Sequence, residues 1–165
     1  MGISMRLYLA PDSDLRAFAV APSALKAWLR FPRSLPDVSL HEYWRDLDAI
    51  LMATPSASAR SLLSANGADW IFPDAADLGA YGISSTSMQA LQRAVQQVDL
   101  PAVEAYVRQR ADRQARATGA PLGLTPVQLG SASAELELYL GRLREGCALG
   151  TQKGYGAVMA LWEEP

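Results

Sequence analysis

Ile3-Ser4-Met5-Arg6-Leu7-Tyr8-Leu9 opens the chain with strict alternation, Ile3, Met5, Leu7 and Leu9 on one side and Ser4, Arg6 and Tyr8 on the other. A period of two predicts a half-buried strand, and Pro11 ends it. At the far end, Tyr155 to Trp162 is apolar on both sides, the pattern of an internal strand. Nearly everything between them carries the 3.6-residue period of helices. Two strands at opposite ends must therefore meet in one small sheet. The expectation is an α+β fold, a helix-rich single domain over residues 1–165 whose sheet includes the N- and C-terminal strands.

Working inward, Asp12 or Ser13 is placed to cap a short helix that buries Leu15, Phe18 and Ala19. Pro22 opens a second, over 23–30, and Phe31 to Val38, with Pro32 and Pro36, reads as a loop. Ser39 and Glu42 have the spacing of a capping box, which predicts a helix from Ser39 to Ala53 with Leu40, Trp44, Leu47 and Leu51 on one face. Residues 54–85 read as a short helix near 59–64 followed by ordered loop. Thr86 and Gln89 suggest a second capping box ahead of Met88, Leu91, Val95 and Val98. Asp99 and Pro101 start the next helix, carrying Val103, Tyr106, Val107 and Ala111 inward. Gly119 to Gly130 reads as loop. From about Ser133, Leu136, Leu140, Leu143 and Cys147 mark a long helical face that stops at Gly154.

Composition narrows the function classes. With 165 residues, a chain of this size buries about 70% of its unfolded surface and needs no metal or disulfide staple. Fifteen basic and 17 acidic side chains give a net charge of −2, unlike a nucleic-acid binder. One cysteine forbids an internal disulfide. No apolar run approaches the roughly 20 residues of a membrane span, and the first residues lack the apolar core of a signal peptide. A cytoplasmic protein with neither membrane nor nucleic acid as partner is expected.

Familiar catalytic chemistry is hard to assemble. His41 is the sole histidine and Cys147 the sole cysteine, too few for a zinc or similar transition-metal site. His41 reads as a polar residue of a helix's first turn. Cys147 falls on an apolar face and reads as inert. No Gly-x-Ser-x-Gly elbow occurs. Gly150-Thr-Gln-Lys-Gly-Tyr-Gly156 follows a helix and opens a strand, the reverse of a phosphate-binding loop. Asp12/Asp14, Asp46/Asp48 and Glu135/Glu137 are each spaced by two, which on a helix points the pair to different faces, and Glu163-Glu164 reads as a tail. The expectation is no catalytic residue, no metal and no cofactor.

Charge is unevenly spread. Residues 61–107 hold Asp69, Asp74, Asp77, Asp99 and Glu104 against only Arg93, whereas Arg108, Arg110, Arg113 and Arg116 follow with Asp112 alone between them. Within the acidic part, aromatic side chains sit among aspartates. Such a combination gives an interface both anchoring and steering. Asp69, Trp70, Asp74, Asp77 and Tyr81 are accordingly the expected partner-binding surface. The competing reading is that Trp70 to Phe72 plug the core.

The opening Met1 to Leu9, the segment Leu40-His-Glu-Tyr-Trp-Arg-Asp-Leu-Asp-Ala-Ile-Leu51 and the ending Gly154-Tyr-Gly-Ala-Val-Met-Ala-Leu161 resemble the YfbM-like family, a bacterial domain of unknown function. The resemblance spans essentially the whole chain. The family often has histidines one and four residues after the tryptophan, where this chain has Arg45 and Asp48, and Ala53 replaces a common glycine. The resemblance implies a compact α+β bacterial cytoplasmic protein with no established catalytic residues. It also implies a role in toxin neutralisation, because the family includes immunity proteins paired with antibacterial toxins, nuclease effectors of type VI secretion among them. It carries over no site residue.

The functional expectation is a non-catalytic binding module, an immunity protein that blocks the active site of a cognate protein toxin such as a nuclease. Mild acidity suits a basic partner. The alternative is an enzyme of unrecognised type, with a site around Trp44, Arg45 and Asp48 and His41 beside them.

Overall fold

In the computed structural model, which describes residues 2–54 and 61–165, the two ends of the chain do meet. Strand β1 (Ile3–Ala10) pairs antiparallel with β5 (Gly156–Glu163) along its whole length, from Ile3 opposite Glu163 to Ala10 opposite Gly156. Three shorter strands, β2 (Val38–His41), β3 (Trp70–Phe72) and β4 (Ala80–Ile83), extend that pair into a five-stranded antiparallel sheet of order β2-β1-β5-β4-β3. The helices are α1 (Asp12–Val20), α2 (Pro22–Trp28), α3 (Trp44–Ala53), α4 (Ser85–Gln97), α5 (Leu100–Thr118) and α6 (Pro126–Lys153). The α+β architecture with both terminal strands in one sheet is as the sequence predicts.

Alternation along the strands divides the interior in two. Met5, Leu7, Leu9, Ala157 and Met159 join Leu47, Leu91, Val103, Leu136, Leu140 and Cys147 in the larger core, under α3 to α6. Tyr8, Ala10, Val158 and Ala160 face the other way, against Leu15, Phe18 and Leu25 of α1 and α2 and against Phe72. The half-buried reading of β1 is therefore too modest. Tyr8 and Ser4 are buried as well, and in the stretch from Met5 only Arg6 reaches solvent. The second face is closed by Trp28, edge-on to Tyr8 at 6.2 Å, and by Arg33, whose guanidinium lies 4.2 Å from the Tyr8 ring centre.

Several caps land where the sequence puts them. Asp99 accepts from Ala102 N at 3.0 Å to start α5, and Gly154 ends α6 with a left-handed φ of 68°. Others move. Ser84, not Thr86, caps α4, its Oγ accepting from Ser87 N at 3.2 Å. Helix α6 starts at Pro126, inside the predicted Gly119–Gly130 loop and ahead of the expected start near Ser133, because Thr125 and Gln128 form a true capping box.

The largest departure is at residues 38–44. Ser39 and Glu42 cap nothing: Val38 to His41 pair with β1, and α3 begins only at Trp44. Leu40 is buried as a strand residue rather than as the first residue of a helical stripe. A cap is worth about 1 kcal/mol, and completing a strand over a packed core outweighs it. In the 54–85 stretch, Leu62 and Leu63 are core, and β3 and β4 replace the expected loop. The helix expected near 59–64 begins outside the described residues, and Ser61 to Ser64 is turn rather than helix.

Candidate functional site

Two places qualify as sites, and they lie at opposite edges of the sheet. The first is the acidic stretch around β3, the last strand in the sheet order. Phe72 points inward and is fully buried, whereas Ile71, the residue between two inward neighbours, is 58% exposed. Asp74, Asp77 and Leu78 follow in the exposed turn that returns the chain to β4, with Asp74 at a left-handed φ of 65°. Asp74 and Asp77 line a shallow concavity of about 280 Å³ with Lys26, Arg30 and Trp162.

The expected contact surface is thus brought together only in part. Trp70 is half-buried beside α1 and α2, and Ile71 supplies the exposed apolar side chain that the sequence assigned to its neighbour. Tyr81 is a core residue, 3% exposed, and its hydroxyl donates to Leu63 O at 2.9 Å. Burial drives the Tyr81 phenol strongly upward, with the Asp48 charge adding to it. It cannot touch a partner in this fold. Asp69 is exposed but structurally committed: its Oδ2 accepts from Ser84 N and Ser87 Oγ, both at 2.7 Å, at the start of α4. Asp74 and Asp77 remain as the outward acids.

The second place is the corner between β2 and α3. A register shift between Met5 and Arg6 marks a bulge in the β1–β2 ladder, and His41, at its end, adopts a left-handed φ of 46°. His41 is therefore a strand-end residue in strained backbone, not a helix first-turn residue. Its Nδ1 lies 2.8 Å from Glu164 Oε1; opposite a carboxylate that nitrogen carries the proton and donates, which leaves Nε2 without it in the neutral ring. Glu164 is held in turn by its backbone N–H on Gly2 O at 2.9 Å. It is no loose tail.

Aromatic rings pack behind the histidine. Tyr139 stands edge-on to His41 at 5.7 Å and stacks on Tyr43 at 4.6 Å. The Tyr43 hydroxyl donates to Glu135, and that hydrogen bond, with burial and the carboxylate's charge, pushes the phenol up to about 12. Trp44 Nε1 donates to Ile3 O at 3.0 Å, fixing the start of α3 to the start of β1. An open cavity of about 580 Å³ lies in front of this corner, bounded by Ile3, Glu42, Tyr43, Arg45, Asp46, Arg110 and Glu135. Arg110 pairs with Asp46 at 3.1 Å, and Tyr106 donates to the same carboxylate. Burial and this contact raise the Tyr106 phenol to about 12.

The alternative site of Trp44, Arg45 and Asp48 is only half assembled. Arg45 lies over the Trp44 ring at 5.1 Å and lines the cavity. Asp48 turns away: its Oδ1 accepts from Ser61 Oγ at 2.6 Å beside Leu63, and burial raises its carboxyl above the usual range while those hydrogen bonds oppose the shift. Glu164, Tyr43 and Glu135 take its place. Of these, only Tyr43 had a signal in the dense run His41-Glu-Tyr-Trp-Arg-Asp46; Glu135 of α6 and Glu164 after β5 reach the corner only through the tertiary fold.

Among the described residues, no cluster of three or more His, Cys, Asp or Glu side chains could hold a metal ion, and no helix is long and apolar enough to cross a membrane. No family model matches the chain, and no curated protein sequence matches it. Among solved structures, it is similar to YfbM from Escherichia coli, described as a protein of unknown function, with a TM-score of 0.63 and 13% identity over 96% of this chain and 99% of that one. At that identity the likeness is one of fold: the chain has a YfbM-like fold throughout.

Proposed function

We propose that this chain is a non-catalytic protein-binding module, an immunity protein that neutralises a cognate antibacterial toxin in the cytoplasm of the cell that makes both. The observation that carries the reading is the acid-framed edge of the sheet: exposed Ile71 on the last strand, with Leu78 40% exposed and Asp74 and Asp77 outward beside them. An edge strand with an apolar side chain facing solvent is a place for protein association. Asp74 and Asp77 beside it share their concavity with Lys26 and Arg30, so the patch offers both signs of charge, while the net charge of −2 of the whole chain favours the approach of a basic partner. A nuclease toxin, such as an effector of type VI secretion, has a basic substrate cleft of that kind, and plugging it would be steric and electrostatic.

The test is co-expression. Each neighbouring reading frame is expressed alone and with this protein, and growth and co-purification are scored. The reading requires one neighbour that stops growth alone, is silenced by this chain and elutes with it. If no neighbour is toxic and nothing co-elutes, the reading fails.

A second reading, an enzyme acting at the β2–α3 corner, is favoured by the strained His41 held through Nδ1 by Glu164 beside a cavity that includes Arg45. Residues held in sparsely populated backbone conformations concentrate at functional sites. Thermal-shift screening against a panel of metabolites checks it: a ligand whose effect disappears in His41→Gln supports the enzyme, and a panel without any shift removes this support.

A further inference from the structure

The opposite edge of the sheet is also open, and it has different chemistry. Strand β2 pairs with β1 on one side and with no strand on the other among the described residues. Beside that free edge runs an open groove of about 480 Å³, with consecutive residues Pro36 to Ser39 on one wall and Arg142, Glu145 and Leu149 of α6 on the other. Edge strand and helix are in close register: a Cβ on Gly146 would lie only 2.4 Å from Val38 Cγ2. The start of β2 therefore sits level with Gly146 of α6, which lies between Glu145 and Leu149 of the groove wall.

The helix presents a matching stripe. Leu138, Arg142, Glu145 and Leu149 follow one another at steps of four, three and four and so share a face, on which Leu138 is 55% exposed. Arg142 and Glu145 are exposed, opposite in charge and three residues apart, and neither makes an ion pair among the described residues.

We propose that this edge is a two-fold interface between two copies of the chain. A two-fold axis at the level of Val38 and Ser39 runs β2 antiparallel to β2 of the second copy, joining two five-stranded sheets into one. The same axis passes close to the turn 142–146 of α6, because Gly146 in that turn is level with Val38. Arg142 then faces Glu145 of the second copy, and Glu145 faces its Arg142, two reciprocal ion pairs from one operation. A surface with one basic and one acidic group astride its centre is complementary to itself, which a partner of single sign would not be. Leu138 is brought towards the second copy on the same face. The bulge at the His41 end limits the pairing to the stretch from Pro36 to Leu40. Because β2 and β3 are opposite edges, the dimer leaves the Ile71 edge free, and this proposal is independent of the toxin reading.

The test is mass in solution by size-exclusion chromatography with multi-angle light scattering over a micromolar concentration series. The wild type is expected at twice the chain mass of 17.8 kDa. Arg142→Glu and Glu145→Arg each place like charges opposite one another and are expected to raise the dissociation constant about tenfold or more. The double exchange, Arg142→Glu with Glu145→Arg, rebuilds both pairs with reversed polarity and is expected to restore the dimer. Circular dichroism confirms that each variant is folded, and Leu138→Asp provides a further weakening substitution away from the charges. A wild type at monomer mass throughout overturns the proposal. So does a dimer indifferent to both single exchanges, or one that the double exchange fails to restore.

Discussion

The carboxylate of Asp12, in the first turn of α1, holds Ser85 at the start of α4: Oδ1 accepts from Ser85 N at 2.8 Å and Oδ2 from Ser85 Oγ at 2.6 Å. Asp12 thus caps a helix other than its own. Together with Asp69 on Ser84 and Ser87, it satisfies the first turn of α4 by residues that the sequence places far away. Asp12→Ala should cost about 1–2 kcal/mol in urea unfolding, as loss of a helix cap does. An unchanged midpoint would mean that the cap is replaced by Ser84 alone.

Asp48 gives a prediction about pH. Burial raises its carboxyl in the folded chain, so between the unfolded and folded values the folded state binds more protons. Its contribution is therefore fully favourable below the unfolded value, near 3.8, and is lost as pH rises through the folded one. Asp48→Asn removes that titration. The difference in stability between variant and wild type should move in the variant's favour as pH rises from 3 towards neutrality, measured by urea midpoints at a series of pH values. A difference independent of pH would contradict the buried, upshifted carboxyl.

Cys147 is predicted to be inert. It is 1% exposed, and burial pushes its thiol up to about 12. A thiol-reactive chromophore at pH 8 should label native protein only on the timescale of unfolding and should label urea-denatured protein at once. Rapid native labelling would show that α6 opens.

Gly156 is required by close approach. A Cβ there would lie 2.0 Å from Ile83 O and 2.9 Å from Leu15 Cδ1, where β5, β4 and α1 converge. Gly156→Ala should cost about 3 kcal/mol, since the contact is with backbone and cannot be relieved by a rotamer change. A loss well under that in the urea midpoint would mean that β4 and β5 shift apart cheaply.

Much of the fold was legible because its signals are local. The alternation of Ile3 to Leu9, the capping Asp99 and the terminating Gly154 each act through neighbours in sequence, and the structure keeps all three. Strands β3 and β4 were not legible. Three and four residues long, they carry no period, and only pairing Ile71 with Tyr81 and Tyr81 with Met159 makes them strands. The capping box of Ser39 and Glu42 shows the same effect in reverse, a valid local signal overruled by pairing with β1. Of the expected contact surface, Asp74 and Asp77 are outward, whereas Tyr81 is core. Alternation in a strand as short as β4 could not reveal that both of its faces are covered.

The central claim is that the Ile71 edge binds and silences a toxic partner. It is tested most directly by growth rescue with a variant of that edge, Ile71→Ser with Asp74→Asn and Asp77→Asn. All three positions are exposed, so the variant should keep the wild-type unfolding midpoint within about 0.5 kcal/mol. Co-expressed with a neighbour that stops growth alone, the wild type should restore growth, whereas the variant should fail to do so and should associate more slowly with less dependence on salt. A folded variant that rescues as well as the wild type would contradict the claim and move the binding surface away from β3.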